Sequence, residues 1–334
     1  SKTRSSRGKS FGYQILGFGS GGVALGDQGL FAGGDLAPGY SNVIDYIDFS
    51  SLGNATDFGD LTVAVYMANN GAVGSTTRGL FAGGGDGTGT GTNVISYITL
   101  KTSGNATDFG DLTQAGRAMG AGISSSTRGV FGPRRHTPSP TPHNDNIFDY
   151  VTIASTGNAT DFGDATVDAA NDAGACSSTR GLRAGGNLNT QPGGESTNVV
   201  DYITIASVGN ATDFGDLSII LNNTGGLSTS TRAVFAGGTS NSGSSPYGVE
   251  QNSIDYFTIA STGNATDFGD LTVATAAQGC SNATLGAISE NSDSPVGSMS
   301  QITIASTGNS VNFGDLSVAR ATQATGSSAH GGIQ

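Results

Sequence analysis

The chain has 334 residues, a net charge of −12, 35% hydrophobic residues and 55 glycines. Its apolar and glycine content reaches the globular range and excludes a disordered or collagen-like chain, while only three Glu and three Lys leave too few surface helix formers for a helical fold. No apolar run approaches the roughly 18 residues of a membrane span and no secretory signal pattern opens the sequence, so a soluble chain without a membrane span is expected.

Residues 1–28 read as a basic, glycine-rich N-terminal arm. Lys2, Arg4, Arg7 and Lys9 fall in the first ten residues with no acid among them, whereas the remainder holds 10 basic against 26 acidic residues and sits near −16. Such an acidic body repels nucleic acid and anionic membranes, so neither is expected to bind it. The arm reads either as a solvated terminus or as a peptide that docks on a partner. Phe11 and Tyr13 flank the start of the apolar, glycine-hinged stretch GYQILGFGSGG, which suits an anchor packed on a neighbour or a strand packed on the body. The candidate anchor residues are Lys2, Arg4, Arg7, Lys9, Phe11 and Tyr13.

From residue 29 onward one phrase recurs. GNATDFGDL or a close variant begins at Gly53, Gly104, Gly157, Gly209, Gly263 and Gly308, with spacings of 51, 53, 52, 54 and 45 residues. Each unit holds four short pieces rich in Val, Ile, Thr, Phe or Tyr. In the second unit they are 72–78, 79–84, 93–100 and 105–112. Glycine and polar clusters separate them, as in an antiparallel meander. Apolar groups occupy both parities of NVVDYITIAS, so both sheet faces are expected to be covered. Four strands per unit and six units predict an all-β fold, a six-bladed β-propeller spanning 29–334. The chain enters at the second piece of a unit and leaves after the first piece of another, with His330 in the place of Arg78. The C-terminal strand is therefore expected to complete the N-terminal blade and remove the open edges of a linear stack.

The pattern resembles the kelch repeat. Gly33-Gly34, Gly83-Gly84, Gly185-Gly186 and Gly237-Gly238 match its double glycine, and Tyr46, Tyr97, Tyr150, Tyr202 and Tyr256 match its tyrosine. Phe58, Phe109, Phe162, Phe214, Phe268 and Phe313 stand where kelch repeats usually carry tryptophan, which this chain lacks. The wording NVIDYITIASTGNATDFGDLT, a composite of the copies, and the closing SSAHGGI are similar to repeats of virion-associated proteins of marine tailed phages. That resemblance implies a structural virion component, capsid- or tail-associated, located on the phage particle. Its implied partners are other virion proteins reached through the arm. A host receptor or glycan-binding module using the variable loops is the alternative.

Residues repeated in every unit are first suspected of structure. The phenylalanines should fill the space between neighbouring sheets, and the glycine pairs should allow close approach or positive φ. Arg78, Arg128, Arg180 and Arg232 should meet the aspartates of the fourth piece, such as Asp57 and Asp108, in ion pairs or turn hydrogen bonds. Asp57 with Asp60 suits turn capping or, less well, calcium. Cys176 and Cys280 occupy equivalent places two units apart, beyond disulfide reach, and should be free buried thiols.

Recognition is expected where the copies differ, in the loops between second and third pieces. The longest, Pro133 to Asp145, holds Arg134, Arg135, His136 and His143, a basic projection that makes these four the candidate binding residues. With three histidines and no phosphate loop, nucleophile elbow or metal-ligand spacing, no catalysis, cofactor or metal is expected.

Overall fold

The computed structural model describes residues 27–333 except 37, 52, 67–70, 88, 90, 137–142, 189–193, 244–247 and 292–296. The expected anchor residues Lys2, Arg4, Arg7, Lys9, Phe11 and Tyr13 lie outside the described residues. Within them every regular element is a β-strand, and the strands form six antiparallel four-stranded sheets plus small accessory ribbons.

Sheet one joins Ala324–Ser327, Gln28–Ala32, Val43–Asp48 and Thr56–Asp60. Sheet two runs Ala72–Gly74, Arg78–Ala82, Thr92–Thr99 and Thr107–Gly116. Sheet three runs Gly122–Ser124, Arg128–Phe131, Ile147–Thr152 and Thr160–Asp164. Sheet four runs Ala173–Cys176, Arg180–Ala184, Thr197–Thr204 and Thr212–Leu221. Sheet five runs Gly225–Ser228, Arg232–Ala236, Ser253–Thr258 and Thr266–Asp270. Sheet six runs Ala276–Ser281, Leu285–Asn291, Ser298–Thr303 and Val311–Asp315.

The C-terminal strand pairs with the N-terminal one as expected, Gly29 opposite Ser327 and Ala32 opposite Ala324. One detail of the reading is corrected. Arg78 opens the second strand instead of closing the first, and Gln28 takes that place in sheet one, opposite Asp48 as Arg78 is opposite Thr99. His330 therefore does not replace Arg78. It belongs to a tail that continues past the strand.

Local chemistry sets the turns. Ser75 Oγ accepts the Arg78 N–H at 3.1 Å, and Ser125, Ser177 and Thr229 cap Arg128, Arg180 and Arg232 in the same way. Asn282 does so for Leu285. A short polar side chain bonding the backbone three residues on stabilises such a turn without help from elsewhere.

The DFGD phrase makes a bulge. Gly59 pairs with Ile44 and Asp57 with Asp45, which leaves Phe58 as the extra residue. The register shifts at the same place in all six sheets. A bulge turns its side chain out of the pleat. Phe58 packs with Leu30 and Ile44 of its own sheet and with Phe81 and Ile98 of sheet two. Phe109, Phe162, Phe214 and Phe268 likewise join sheets two to three, three to four, four to five and five to six. Phe313 and Met299 of sheet six pack with Phe31, Ile47 and Phe49 of sheet one. All six phenylalanines are thus where the sequence reading placed them, between sheets, and burial of each is worth about 1.5–3 kcal/mol.

Beside each bulge the backbones nearly touch. Gly59 has φ +149°, and a Cβ there would lie 2.5 Å from the Gly104 carbonyl. The Gly104 N–H donates to Phe58 O at 2.8 Å, the Ala106 N–H to Asp60 O at 2.7 Å, and the Asp60 N–H to Asn105 Oδ1 at 3.1 Å. Asn158, Asn210, Asn264, Asn309 and Asn54 accept the matching aspartate N–H groups, the last from Asp315 across 261 residues. The sequence NAT is therefore a sheet-to-sheet clasp.

Candidate binding face

Connections from second to third strands all leave from one end of the sheets, and there the copies diverge. Sheet one carries the ribbon Asp35–Leu36 with Gly39–Tyr40. Sheet three carries Ala118–Met119, Arg134–His136 and His143–Asn144 in a three-stranded ribbon. Sheets four and five carry Ala169–Ala170 with Asn187–Leu188, and Thr239–Ser240 with Val249–Glu250. Neighbouring ribbons are tied together. Asn144 Nδ2 donates to Asn187 O at 2.6 Å, and the Ser196 N–H donates to Asn241 O at 2.8 Å.

The four residues expected to bind in the long loop do not share one environment. Arg134 is fully buried, a correction to its reading as an exposed contact. Its Nη1 lies 2.8 Å from Asp149 Oδ2 and its Nε 3.3 Å from Asp145 Oδ2, because its strand alternates and Arg134 faces inward. Arg135 and His136 are half-buried and His143 is exposed. The His136 and His143 rings stack with centroids 5.0 Å apart, and His136 Nε2 is 2.8 Å from Asp145 Oδ2.

Arg134 has two counterparts that sequence reasoning missed. Arg320 Nη1 lies 2.9 Å from Asp45 Oδ2, and Arg183 lies 3.3 Å from Asp201 and 2.6 Å from Asp172. Asp45, Asp149 and Asp201 are the same repeat position, the residue before the tyrosine, and the three arginines reach it from different segments. The available signal was Arg183 itself, which stands at the phenylalanine of GLFAGG. Asp255 occupies the same position in sheet five without an arginine, accepting the Ser218 N–H at 2.8 Å. Burial raises its carboxyl pKa. Burial also pushes Asp172 up to about 6 despite Arg183.

At the opposite end of the sheets the repeated arginines take a role other than the expected ion pairs. Arg78, Arg128, Arg180 and Arg232 lie over Tyr97, Tyr150, Tyr202 and Tyr256 at 4.3–4.8 Å. Each Nη1 donates to a carbonyl of the next sheet, Ile153, Ile205, Ile259 and Ile304. Among the described residues no ion pair joins them to the DFGD aspartates. Asp57 instead caps its own turn, accepting the Gly59 N–H at 3.0 Å. The guanidinium is instead taken up by the tyrosine ring and by the carbonyl of the next sheet.

The first strands of all six sheets, through Gly74, Ser124, Cys176, Ser228, Ser281 and Ser327, line a cavity of about 40 Å³. That is room for about three waters at roughly 10–15 Å³ each. His330 lies at this cavity, its Nε2 3.0 Å from Ser124 Oγ and its Nδ1 accepting the Gly332 N–H at 3.1 Å. Burial pushes the Cys176 thiol up to about 11 and His330 down to about 4, so both are neutral at pH 7. Cys176 and Cys280 are free and buried, as the repeat spacing required.

A second hollow opens on the ribbon end. Tyr40, Tyr66, Gly85, Gly87, Gly89 and Arg117 line about 60 Å³. The tyrosine rings lie 5.0 Å apart, and Arg117 Cζ is 5.4 Å from the Tyr66 ring centre. None of these three side chains belongs to the repeat, which is why self-comparison of the sequence passed over them. No protein-family model and no curated protein matches this chain. No helix among the described residues is long and apolar enough to cross a membrane.

Proposed function

We propose that the six sheets are the blades of one closed, kelch-like β-propeller and that the chain is a structural component of a tailed-phage particle, displaying this propeller on the virion for assembly or attachment. Closure is supported by the pairing of Ala324–Ser327 with Gln28–Ala32 and by the core shared between sheets six and one. One observation carries the functional part. The repeated side chains are consumed in holding sheet to sheet, which leaves the ribbon end, where the copies differ, to meet other molecules. The virion itself rests on the wording of the repeat.

In this reading the propeller is scaffold, residues 1–28 attach it to other virion proteins, and the ribbon face points outward. Particles assembled with the full chain or with a chain lacking residues 1–26, which leaves Gln28 in its strand, test it by immunoblot of purified virions. Incorporation should be lost with the arm. Equal incorporation would reject the anchor.

The Tyr40, Tyr66 and Arg117 hollow favours a second role for the same face, attachment to a host surface glycan. Aromatic rings beside an arginine are a common means of holding a sugar ring and its polar substituents.

A further inference from the structure

Ten basic residues follow residue 26, and nearly all have a place. Arg134, Arg183 and Arg320 are buried against aspartates. Arg78, Arg128, Arg180 and Arg232 serve the opposite end, and the Lys101 N–H lies there too, donating to Gln28 Oε1 at 2.9 Å. Arg117 and Arg135 remain, both at the ribbon end and joined by a 2.8 Å hydrogen bond from Arg117 N–H to Arg135 O. Arg117 is exposed, and its guanidinium leans on Tyr66, donating through Nε to the phenol oxygen.

The hollow beside it is preorganised. Tyr66 is fixed by a two-bond bridge with Gly85, Tyr66 N–H to Gly85 O at 3.0 Å and Gly85 N–H to Tyr66 O at 2.8 Å. Tyr40 closes the other side. Glycines 85, 87 and 89 contribute no side chain to the lining. With its oxygen accepting from Arg117, the Tyr66 phenol keeps its own proton as a donor, and partial burial raises its pKa. The site thus brings together two aromatic rings, a phenol hydroxyl and one cation.

The charge around the hollow selects the ligand. A body of 10 basic against 26 acidic residues repels a dense polyanion, so nucleic acid and polyphosphate are disfavoured. A single carboxylate on an otherwise neutral ring avoids that repulsion and matches the planar fork of arginine. We infer that Tyr40, Tyr66 and Arg117 form a binding site for a carboxylated sugar of the uronic acid class, its ring on the tyrosines and its carboxylate on Arg117. This rests on the attachment reading above. Asp35 is the competing group, close enough for its charge to act on both Arg117 and Tyr66.

The test is calorimetric titration of the full chain with methyl galacturonoside, which carries one carboxylate, and with the neutral methyl galactoside. The acid should bind about tenfold or more tighter, the factor expected of one charge-assisted contact. Arg117→Ala should abolish that preference, Tyr66→Ala should weaken both sugars, and Asp35→Asn should tighten the acid. All three variants should melt with the wild type. Equal binding of the two sugars, binding of neither, a preference that survives Arg117→Ala, or stronger binding of inorganic triphosphate would each overturn the site. Virion incorporation of Arg117→Ala is measured in parallel. A site that fails while incorporation persists leaves the structural reading standing.

Discussion

Ser328 Oγ accepts the backbone N–H of Gln28 at 2.8 Å, across 300 residues of sequence. Its own N–H returns a bond to Gln28 O at 3.0 Å. This is the pairing that Ser75 makes with Arg78, where Ser75 N–H donates to Arg78 O at 2.8 Å and Ser75 Oγ accepts the Arg78 N–H. In sheet two a continuous turn connects the partners, whereas in sheet one they come from opposite ends of the chain. The cap survives because sheet pairing, not chain continuity, sets its geometry.

Ser328→Ala and Ser75→Ala should therefore destabilise by similar amounts, about 1 kcal/mol each, the usual worth of one such bond. Urea unfolding of the two variants measures it. A silent Ser328→Ala beside a damaging Ser75→Ala would mean that the terminal strand is held by its ladder alone.

The tail beyond Ser328 gives the protein a pH response. Neutral His330 donates from Nε2 to Ser124 and accepts the Gly332 N–H at Nδ1, so a second proton on Nδ1 would face a donor. Cys176, whose Sγ is 3.6 Å from Nδ1, stays neutral throughout. The imidazole takes its proton near 6.5 when unfolded and near 4 when folded. Between those values the unfolded state binds more protons, so this contribution is present above pH 6.5 and is lost as pH falls to 4. Its size is roughly 1–3 kcal/mol. Asp172, raised to about 6, acts with the opposite sign over part of the same range. Comparing wild type with His330→Gln removes that common background. The difference in unfolding free energy should shrink between pH 7 and pH 4; a constant difference would contradict the burial of the ring.

Phe214 is 2% exposed and meets Tyr202 and Phe257 edge-on at 5.9 and 5.7 Å, joining sheets four and five. Phe214→Ala should cost about 3–5 kcal/mol and, because every sheet leans on two others, should lower one cooperative melting transition instead of splitting it. Differential scanning calorimetry distinguishes these outcomes. An unchanged melting temperature would remove Phe214 from the sheet contact.

Gly59 and Gly53 share nearly the same backbone, φ +149° and +150°, but only at Gly59 would a Cβ meet the backbone of a neighbouring segment, at Gly104. Alanine at Gly53 meets nothing within 4 Å and suffers backbone strain alone, about 1–3 kcal/mol. Alanine at Gly59 adds a collision with the Gly104 carbonyl and should destabilise clearly more. Equal effects in chemical denaturation would show that the sheets can move apart there without loss.

The period was legible because each copy must solve the same packing problem. Phe58, the Gly33-Gly34 pair with φ +67° and +120°, and the free Cys176 and Cys280 all follow from it. What the period hid is what occurs once. Arg134 looked like part of a basic loop because a strand of three residues leaves no readable alternation, and its partner Asp149 belongs to the repeat. Tyr40, Tyr66 and Arg117 meet only because three connections from different sheets end side by side. The asparagines of the repeated NAT gave no sign of their role, since nothing in one unit reveals that its Asn completes the preceding one.

Arg134 gives the sharpest contrast between reading and structure. An exposed contact could be replaced at no loss of stability. A buried guanidinium holding Asp149 at 2.8 Å cannot, because its removal leaves a carboxylate without exposure or countercharge. Thr113 shares that carboxylate, donating its N–H at 3.0 Å and its hydroxyl at 2.7 Å, so the loss would reach the neighbouring fourth strand. Arg134→Met should destabilise by about 3–5 kcal/mol, the range for breaking one side of a buried pair. Arg134→Met with Asp149→Asn should recover part of it, since the stranded charge is then gone. A double-mutant cycle in urea measures the coupling, and additive effects of the two changes would remove the ion pair from the fold's support.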